Sequence, residues 1–241
     1  MAPPRGVPQR AATEIRMDLP ARLYLAPAEY VDCDHADVRA FARDAAGAAA
    51  APEEKARRLY TAVRDGIRYN PYADYADPGT YRASAVLAAG NGYCVGKAAL
   101  YAAAARSAGV PARLGLADVR NHLATRRLLE AVGTDVFAWH GYAEILLGGR
   151  WVKVTPTFNA SLCAKLGVPA LDFDGVSDAL LQPADHGGRR FMEYLREHGT
   201  FHDVPAKFLI GEMARLYPKL CGRGGDMERE AESEGAATAG A

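Results

Sequence analysis

The sequence predicts an α+β fold in which helices pack on an antiparallel sheet. The main observations are an Ala-rich helical segment at 95–107 and two strand-like segments, 138–147 and 150–155, that flank Gly148-Gly149. Two glycines between apolar segments are typical of a two-residue hairpin turn, because both turn residues then adopt positive φ. Helices with one apolar face, such as 53–65, complete the pattern.

Helices are expected where alanines dominate or apolar residues recur three and four positions apart, and Gly or Pro ends them. Gly109 and Pro111 thus end the helix at 95–107. The expected helices are 37–50, 53–65, 95–107, 123–132, 189–198 and 205–217, and the expected strands are 67–72, 113–118 and the two strands of the hairpin.

The hairpin places chemically distinct residues on its two faces. If Gly148-Gly149 form the turn, Glu144 pairs with Lys153 and Tyr142 with Thr155, and His140 lies opposite Thr157. Side chains alternate along a strand, so these polar residues share one face with Trp151. The residues expected on the other, core-facing side are Trp139, Gly141, Ala143, Ile145, Val152 and Val154.

The composition of the 241 residues favours a soluble globular protein. Lys+Arg and Asp+Glu both number 29, so neither a nucleic-acid partner nor a charged membrane-binding surface is expected. No apolar stretch approaches the roughly 18 residues of a spanning helix, and 1–20 lacks the apolar core of a signal peptide. The four cysteines are scattered without a CxxC pair, which favours free thiols and a cytoplasmic location. The oligomeric state is left open.

One folded domain is expected at 21–221. It follows a flexible arm at 1–20 that is rich in proline at its start. The segment 222–241 contains Gly, Glu and Ala but no aromatic residue, so a disordered tail is expected there.

Cys94 has the sequence environment of a nucleophile. It follows Gly90, Asn91 and Gly92 and begins an expected helix. Unpaired backbone N–H groups and the helix dipole at this position favour negative charge, so the thiol pKa is expected to be lowered. The backbone N–H of Cys94 could also stabilise an oxyanion.

A nucleophilic cysteine requires a base and a group that orients this base. His140 is the candidate base, on the polar face of the hairpin. Thr155 is the candidate orienting residue, because it lies on the same face of the partner strand, diagonal to His140.

Together, two sequence blocks resemble the transglutaminase-like superfamily, whose fold is papain-like in the broad sense. The first runs from Gly92-Tyr93-Cys94 to the end of a helix at Arg106-Ser107-Ala108-Gly109-Val110-Pro111-Ala112-Arg113. The second runs from Trp139-His140 through a short turn to Trp151-Val152-Lys153-Val154-Thr155-Pro156-Thr157. The resemblance covers about 55–160 and implies a nucleophile helix packed on an antiparallel sheet.

The sequence departs from this family at one important position. Thr155 stands where the family has its catalytic Asp, so the orienting group carries no charge. Other acceptors could orient His140, namely Asn159, Asp118, Asp172 or Asp174, whereas Glu144 is two pair positions away and too distant.

The resemblance implies acyl transfer or hydrolysis at an amide or thioester carbonyl of a peptide, amide or thioester substrate. Cys94 would form a thioester intermediate, and His140 would act as base and acid. Tyr93 or Tyr142 could help to hold the oxyanion, and no cofactor or metal is implied. Because Thr155 replaces the Asp, the alternative is a transglutaminase-like binding protein with weakened catalysis.

Overall fold

The computed structural model describes residues 19–122, 124–181, 184–185, 187–189, 191–221 and 224–239. The strands are β1 (Arg68–Tyr69), β2 (Asn91–Gly92), β3 (Ala112–Asn121), β4 (Val136–Leu147), β5 (Arg150–Val154) and β6 (Met192–Phe201). The helices are α1 (Leu19–Leu23), α2 (Ala36–Ala46), α3 (Pro52–Gly66), α4 (Ala83–Ala89), α5 (Cys94–Ser107), α6 (Arg126–Val132), α7 (Ala160–Leu166), α8 (Ala206–Leu216) and α9 (Met227–Ala239). A short 3₁₀ helix spans Pro78–Tyr81.

The core is a four-stranded antiparallel sheet in the order β5-β4-β3-β6, with α5 packed against β4 and β3. Every residue of α5 from Val95 to Arg106 is buried. Alanine dominates this helix because the other packed elements, α2, α3 and α4, approach it closely on its remaining sides. The α+β fold with a central helix on an antiparallel sheet is therefore confirmed.

Two buried basic side chains anchor α5 to its neighbours. The Nζ of Lys97 donates to the carbonyl of Arg64 at 2.9 Å and to the carbonyl of Ile67, both at the end of α3. Burial lowers the pKa of Lys97 to about 7. Arg106 donates to the carbonyl of Ala112 at 2.9 Å and to that of Ala26 at 2.7 Å. Both side chains satisfy carbonyl groups that would otherwise be buried without partners.

The hairpin forms with the expected register near its turn, but the expected pairing of Tyr142 with Thr155 and of His140 with Thr157 is not part of the ladder. Ala143 pairs with Val154 and Leu147 with Arg150, around a turn in which Gly148 and Gly149 have φ values of 54° and 81°. The ladder ends at Val154, because the Thr155 N–H donates to the Ala179 carbonyl at 2.9 Å instead of continuing along β4. On the polar face, Glu144 and Arg113 form an ion pair at 2.6 Å.

The segment expected as a helix at 189–198 is instead mostly strand β6, so that prediction is wrong. β6 pairs with β3 over most of its length and has two irregularities in register. The local sequence is compatible with either conformation, and the unpaired edge of β3 selects the strand because its backbone groups need partners.

The expectation of a disordered tail at 222–241 is also wrong for 227–239, which form α9. Glu230 accepts a hydrogen bond from the Tyr72 hydroxyl at 2.6 Å. Lys165 of α7 lies 3.0 Å from Glu228 and 2.8 Å from Glu232. These long-range contacts, together with buried Met227, hold a helix whose composition alone did not predict order. The folded unit therefore extends beyond 221.

At the other end, the expected arm at 1–20 lies outside the described residues up to 18, and α1 already begins at Leu19. Among the helices of the described ranges, none combines the length and the apolar character needed to span a membrane.

Candidate active site

Cys94 is the first residue of α5, and the backbone of β4 passes directly beside it. A Cβ on Gly141 would lie 2.6 Å from the Cα of Val95, so only glycine allows this approach. Burial raises the pKa of the Cys94 thiol to about 11, although backbone N–H groups of Gly141, Val95 and Cys94 act in the opposite direction. The expected net lowering of the thiol pKa is therefore wrong, because desolvation raises the pKa by more than the N–H groups at the helix start lower it.

We expect Gly141→Ala to lower the free energy of unfolding by about 1–3 kcal/mol, because a methyl group would force β4 away from α5. Urea denaturation measures this change. The matched control is Gly211→Ala in α8, where an added Cβ meets nothing within 4 Å. The control should be neutral or stabilising by up to about 1 kcal/mol. Equal stability of the two variants would contradict the close approach at Gly141.

His140 follows a bulge in β4. Ala117 pairs with His140 and Val119 with Phe137, so two residues of β4 oppose a single residue of β3. Within the bulge, Trp139 has φ 61°, a left-handed conformation that non-glycine residues rarely adopt. Such bulges re-aim the side chains that follow them, and the His140 side chain is buried.

Side chains replace the ladder partners that β4 loses at the bulge. The Ala138 N–H donates to the Tyr217 hydroxyl at 2.6 Å, and the Trp139 N–H donates to Asp118 Oδ1 at 3.2 Å. His198 Nε2 lies 2.8 Å from the same Asp118 oxygen, and its ring stacks on Trp139 with centroids 4.1 Å apart. Asp118 and His198 thus support the bulge that precedes His140.

Cys94 and His140 line one cavity of about 50 Å³. Burial lowers the pKa of His140 to about 4. With the thiol pKa raised and the imidazole pKa lowered, both side chains are uncharged near neutral pH. The resting pair is therefore a neutral thiol and a neutral imidazole.

Two polar atoms of cavity-lining residues are buried and unpaired in the described part of the chain: His140 Nε2 and Thr157 Oγ1. Buried polar atoms without partners are costly and therefore rare. Both belong to the cavity that Cys94 lines, where a ligand or water could pair with them. Of the two tyrosines suggested for an oxyanion, Tyr93 lines this cavity, whereas the Tyr142 ring covers Gly115 on the adjacent strand.

Thr155 lies near His140 but bonds to another residue. Its Oγ1 lies 3.3 Å from the Tyr194 hydroxyl. The Tyr194 ring in turn stands edge-on to the His140 ring, with centroids 6.0 Å apart. A Thr155–Tyr194 pair therefore lies beside the imidazole.

The other candidate orienting residues also have different partners. Asn159 binds the Tyr69 N–H at 2.9 Å and Glu228 at 2.7 Å. Asp172 pairs with Arg64 at 2.6 Å, and Asp174 accepts backbone N–H groups of its own turn. Glu144 is bound to Arg113, and Asp118 supports the bulge. Desolvation is the cause of the His140 pKa shift, and no carboxylate contributes to it.

We expect Thr155→Val to slow acylation of Cys94 by less than about tenfold, because it removes one neutral hydrogen bond worth about 1 kcal/mol. Peptide mass spectrometry after rapid quenching measures the rate. A loss as large as that of a His140 variant would instead make Thr155 the orienting residue.

Several supporting residues were not identified from the sequence. Gly141 could have been noticed, since a glycine inside a strand signals a close backbone approach. Tyr194, Tyr217 and His198 act through long-range packing, which no local pattern reveals. Among the described residues, no group of three or more His, Cys, Asp or Glu side chains could hold a metal ion.

Residues 39–156 match the sequence model of the transglutaminase-like superfamily. The chain therefore contains a transglutaminase-like domain, and the two motif blocks lie within it or next to its end. A comparison with curated proteins finds no match.

Among solved structures, a candidate cysteine protease from Cytophaga hutchinsonii is similar, with 15% sequence identity and a TM-score of 0.46. The match covers 78% of this chain and 56% of that chain, so this protein spans just over half of its length.

Proposed function

We propose that the protein catalyses acyl transfer or hydrolysis at an amide or thioester carbonyl, with Cys94 as nucleophile and His140 as base and acid. The observation that carries the proposal is that both side chains line one cavity at the start of α5. The family match supports it, because it covers both residues.

The reaction begins from a neutral pair. The Cys94 sulfur bonds to the acyl carbon while its proton passes to the unpaired imidazole of His140. The leaving group takes this proton and departs. Water or an amine then attacks the thioester with His140 again as base, and the thiol is restored.

A backbone N–H group is available to stabilise the oxyanion that develops during the attack. The N–H of Cys94, at the first position of α5, lacks an intrahelical acceptor, as in any helix start. Tyr93 also lines this cavity, and its hydroxyl is the candidate for a second donor. Such preorganised donors lower the barrier most strongly where water is excluded.

The test is to trap the acyl intermediate. The protein is incubated with acyl p-nitroanilides and acyl thioesters, quenched in acid and digested. We expect an adduct on Cys94 that hydroxylamine removes and that Cys94→Ser lacks.

Cys163 provides the matched control. Cys163 is buried, and burial raises its pKa to about 11, the same value as for Cys94, but it does not line the cavity. In the Cys163→Ser variant, the donors should acylate Cys94 at the wild-type rate. If no donor acylates Cys94 in the folded protein, the enzymatic proposal fails and the alternative of a binding protein, motivated by Thr155, becomes the better one.

A further inference from the structure

The cavity beside Cys94 lacks charge. None of the described residues that line it is Asp, Glu, Lys or Arg. The walls include the methionines Met192, Met213 and Met227. An ionised acyl group would lose its hydration shell in this cavity without gaining a contact of opposite charge, which costs several kcal/mol of binding free energy. A neutral, apolar group meets no such penalty.

The cavity is also small. Its volume is about 50 Å³, roughly one third of the ~150 Å³ in which an engineered protein cavity binds benzene. This space suits a chain of about two to four carbon atoms. The flexible methionine side chains can adapt to the shape of such a chain.

Much of this cavity is built by segments beyond the transglutaminase-like match, which ends at residue 156. Besides Thr157 and Phe158, directly after the match, the residues involved are Leu166, Met192, Met213, Tyr217, Leu220 and Met227. Segments outside the shared motif blocks therefore help to set the dimensions of the cavity.

The surroundings of His140 favour a thioester over an amide. In the described part of the chain no carboxylate is recorded in a pair with His140, because Asp118, Asp172 and Glu144 bind other partners. A donor whose leaving group needs little protonation is therefore favoured over one that requires full protonation by this imidazole. An amine must be protonated to leave, whereas a thiolate of pKa about 8.5 leaves with little help from an acid.

We propose that the donors of this enzyme are thioesters of short, uncharged acyl groups of about two to four carbon atoms, which occupy the cavity beside Cys94. The inference rests on the proposed function and specifies its substrate class. In the first step the bond from Cys94 Sγ to the acyl carbon forms and the bond from that carbon to the donor sulfur breaks. The Cys94 proton passes through His140 to the departing thiolate. Water then releases the carboxylic acid, and the thiol is regenerated.

Four N-acetylcysteamine thioesters test this proposal: acetyl, butyryl, octanoyl and succinyl. The second-order rate of Cys94 acylation is measured by peptide mass spectrometry and divided by the rate of each thioester with free N-acetylcysteine. We expect butyryl to exceed both octanoyl and succinyl by about tenfold or more. Octanoyl or succinyl at least as fast as butyryl would overturn the inference while leaving the proposed function intact.

A pair of variants on α8 tests whether the cavity sets this preference. Met213 and Leu209 are both buried, but only Met213 lines the cavity. Met213→Ala should raise the octanoyl-to-butyryl rate ratio by about tenfold, and Leu209→Ala should leave the ratio unchanged. An unchanged ratio in folded Met213→Ala would contradict the assignment. Failure of all four thioesters overturns the inference, and acylation by the p-nitroanilides then decides separately whether the proposed function survives.

Discussion

The His140→Gln variant is expected to form the Cys94 acyl adduct about 10²–10⁴ times more slowly than the wild-type protein. Burial holds the pKa of the thiol at about 11, so without the imidazole only a rare thiolate can react. The variant's rate should therefore rise about tenfold per pH unit between pH 7 and 10. The wild-type rate should stay nearly constant over this range, because the His140 pKa of about 4 keeps the ring a base.

Rapid quenching and peptide mass spectrometry at a series of pH values measure these rates with butyryl and p-nitroanilide donors. His35→Gln is the matched control, because His35 is exposed at the start of α2 and outside the cavity. The control should follow the wild-type profile. A His140→Gln profile with the wild-type rate and slope would show that this imidazole is not the base.

Acid should destabilise the wild-type protein through His140. Burial lowers the pKa of His140 from 6.5 to about 4, so between these values the unfolded state binds more protons than the folded state. The stabilisation is complete above pH 6.5 and is lost as the pH falls towards 4. One such group accounts for about 3 kcal/mol over this interval.

Urea denaturation at pH 6.5 and pH 4 measures this loss. Carboxylates also titrate in this range, so the difference between wild type and His140→Gln isolates the imidazole. The wild-type protein should lose about 3 kcal/mol more than the variant, and Cys94→Ser, which keeps the imidazole, should behave as the wild type. Equal losses in wild type and His140→Gln would refute the buried, neutral histidine.

The protonation state of Cys94 distinguishes this site from one that holds an activated thiolate, because the Cys94 thiol is neutral near pH 7. A cysteine at a helix start commonly gains acidity from the free N–H groups. Here the same N–H groups act on Cys94, but burial has the larger effect. In the proposed reaction the proton of Cys94 therefore moves during the attack on the donor and not before it, which is consistent with a neutral donor in an uncharged cavity.

Local patterns were sufficient for the elements that hold the proposed nucleophile and base. Two adjacent glycines predicted the turn at Gly148-Gly149, and the alternation of the flanking strands predicted their register. The Ala-rich segment predicted α5. Its small side chains also allow other elements to pack closely on all sides of the helix. The two motif blocks identified the transglutaminase-like domain.

Local patterns failed where two conformations have similar intrinsic free energies. The local sequence of β6 does not distinguish a helix from a strand, and the open edge of β3 decides between them. The composition of α9 predicts a disordered tail, whereas its order depends on contacts with Tyr72 and Lys165, which are distant in sequence.

The sequence by itself determined the fold class, the family and the proposed Cys94–His140 pair, because each depends on residue types at short, fixed spacings. Only the tertiary structure decided the bulge at Trp139, the partner of Thr155 and the uncharged cavity. These features arise where β3, β4, β6, α8 and α9 meet. The protonation states of Cys94 and His140 depend on how completely the surrounding elements exclude water.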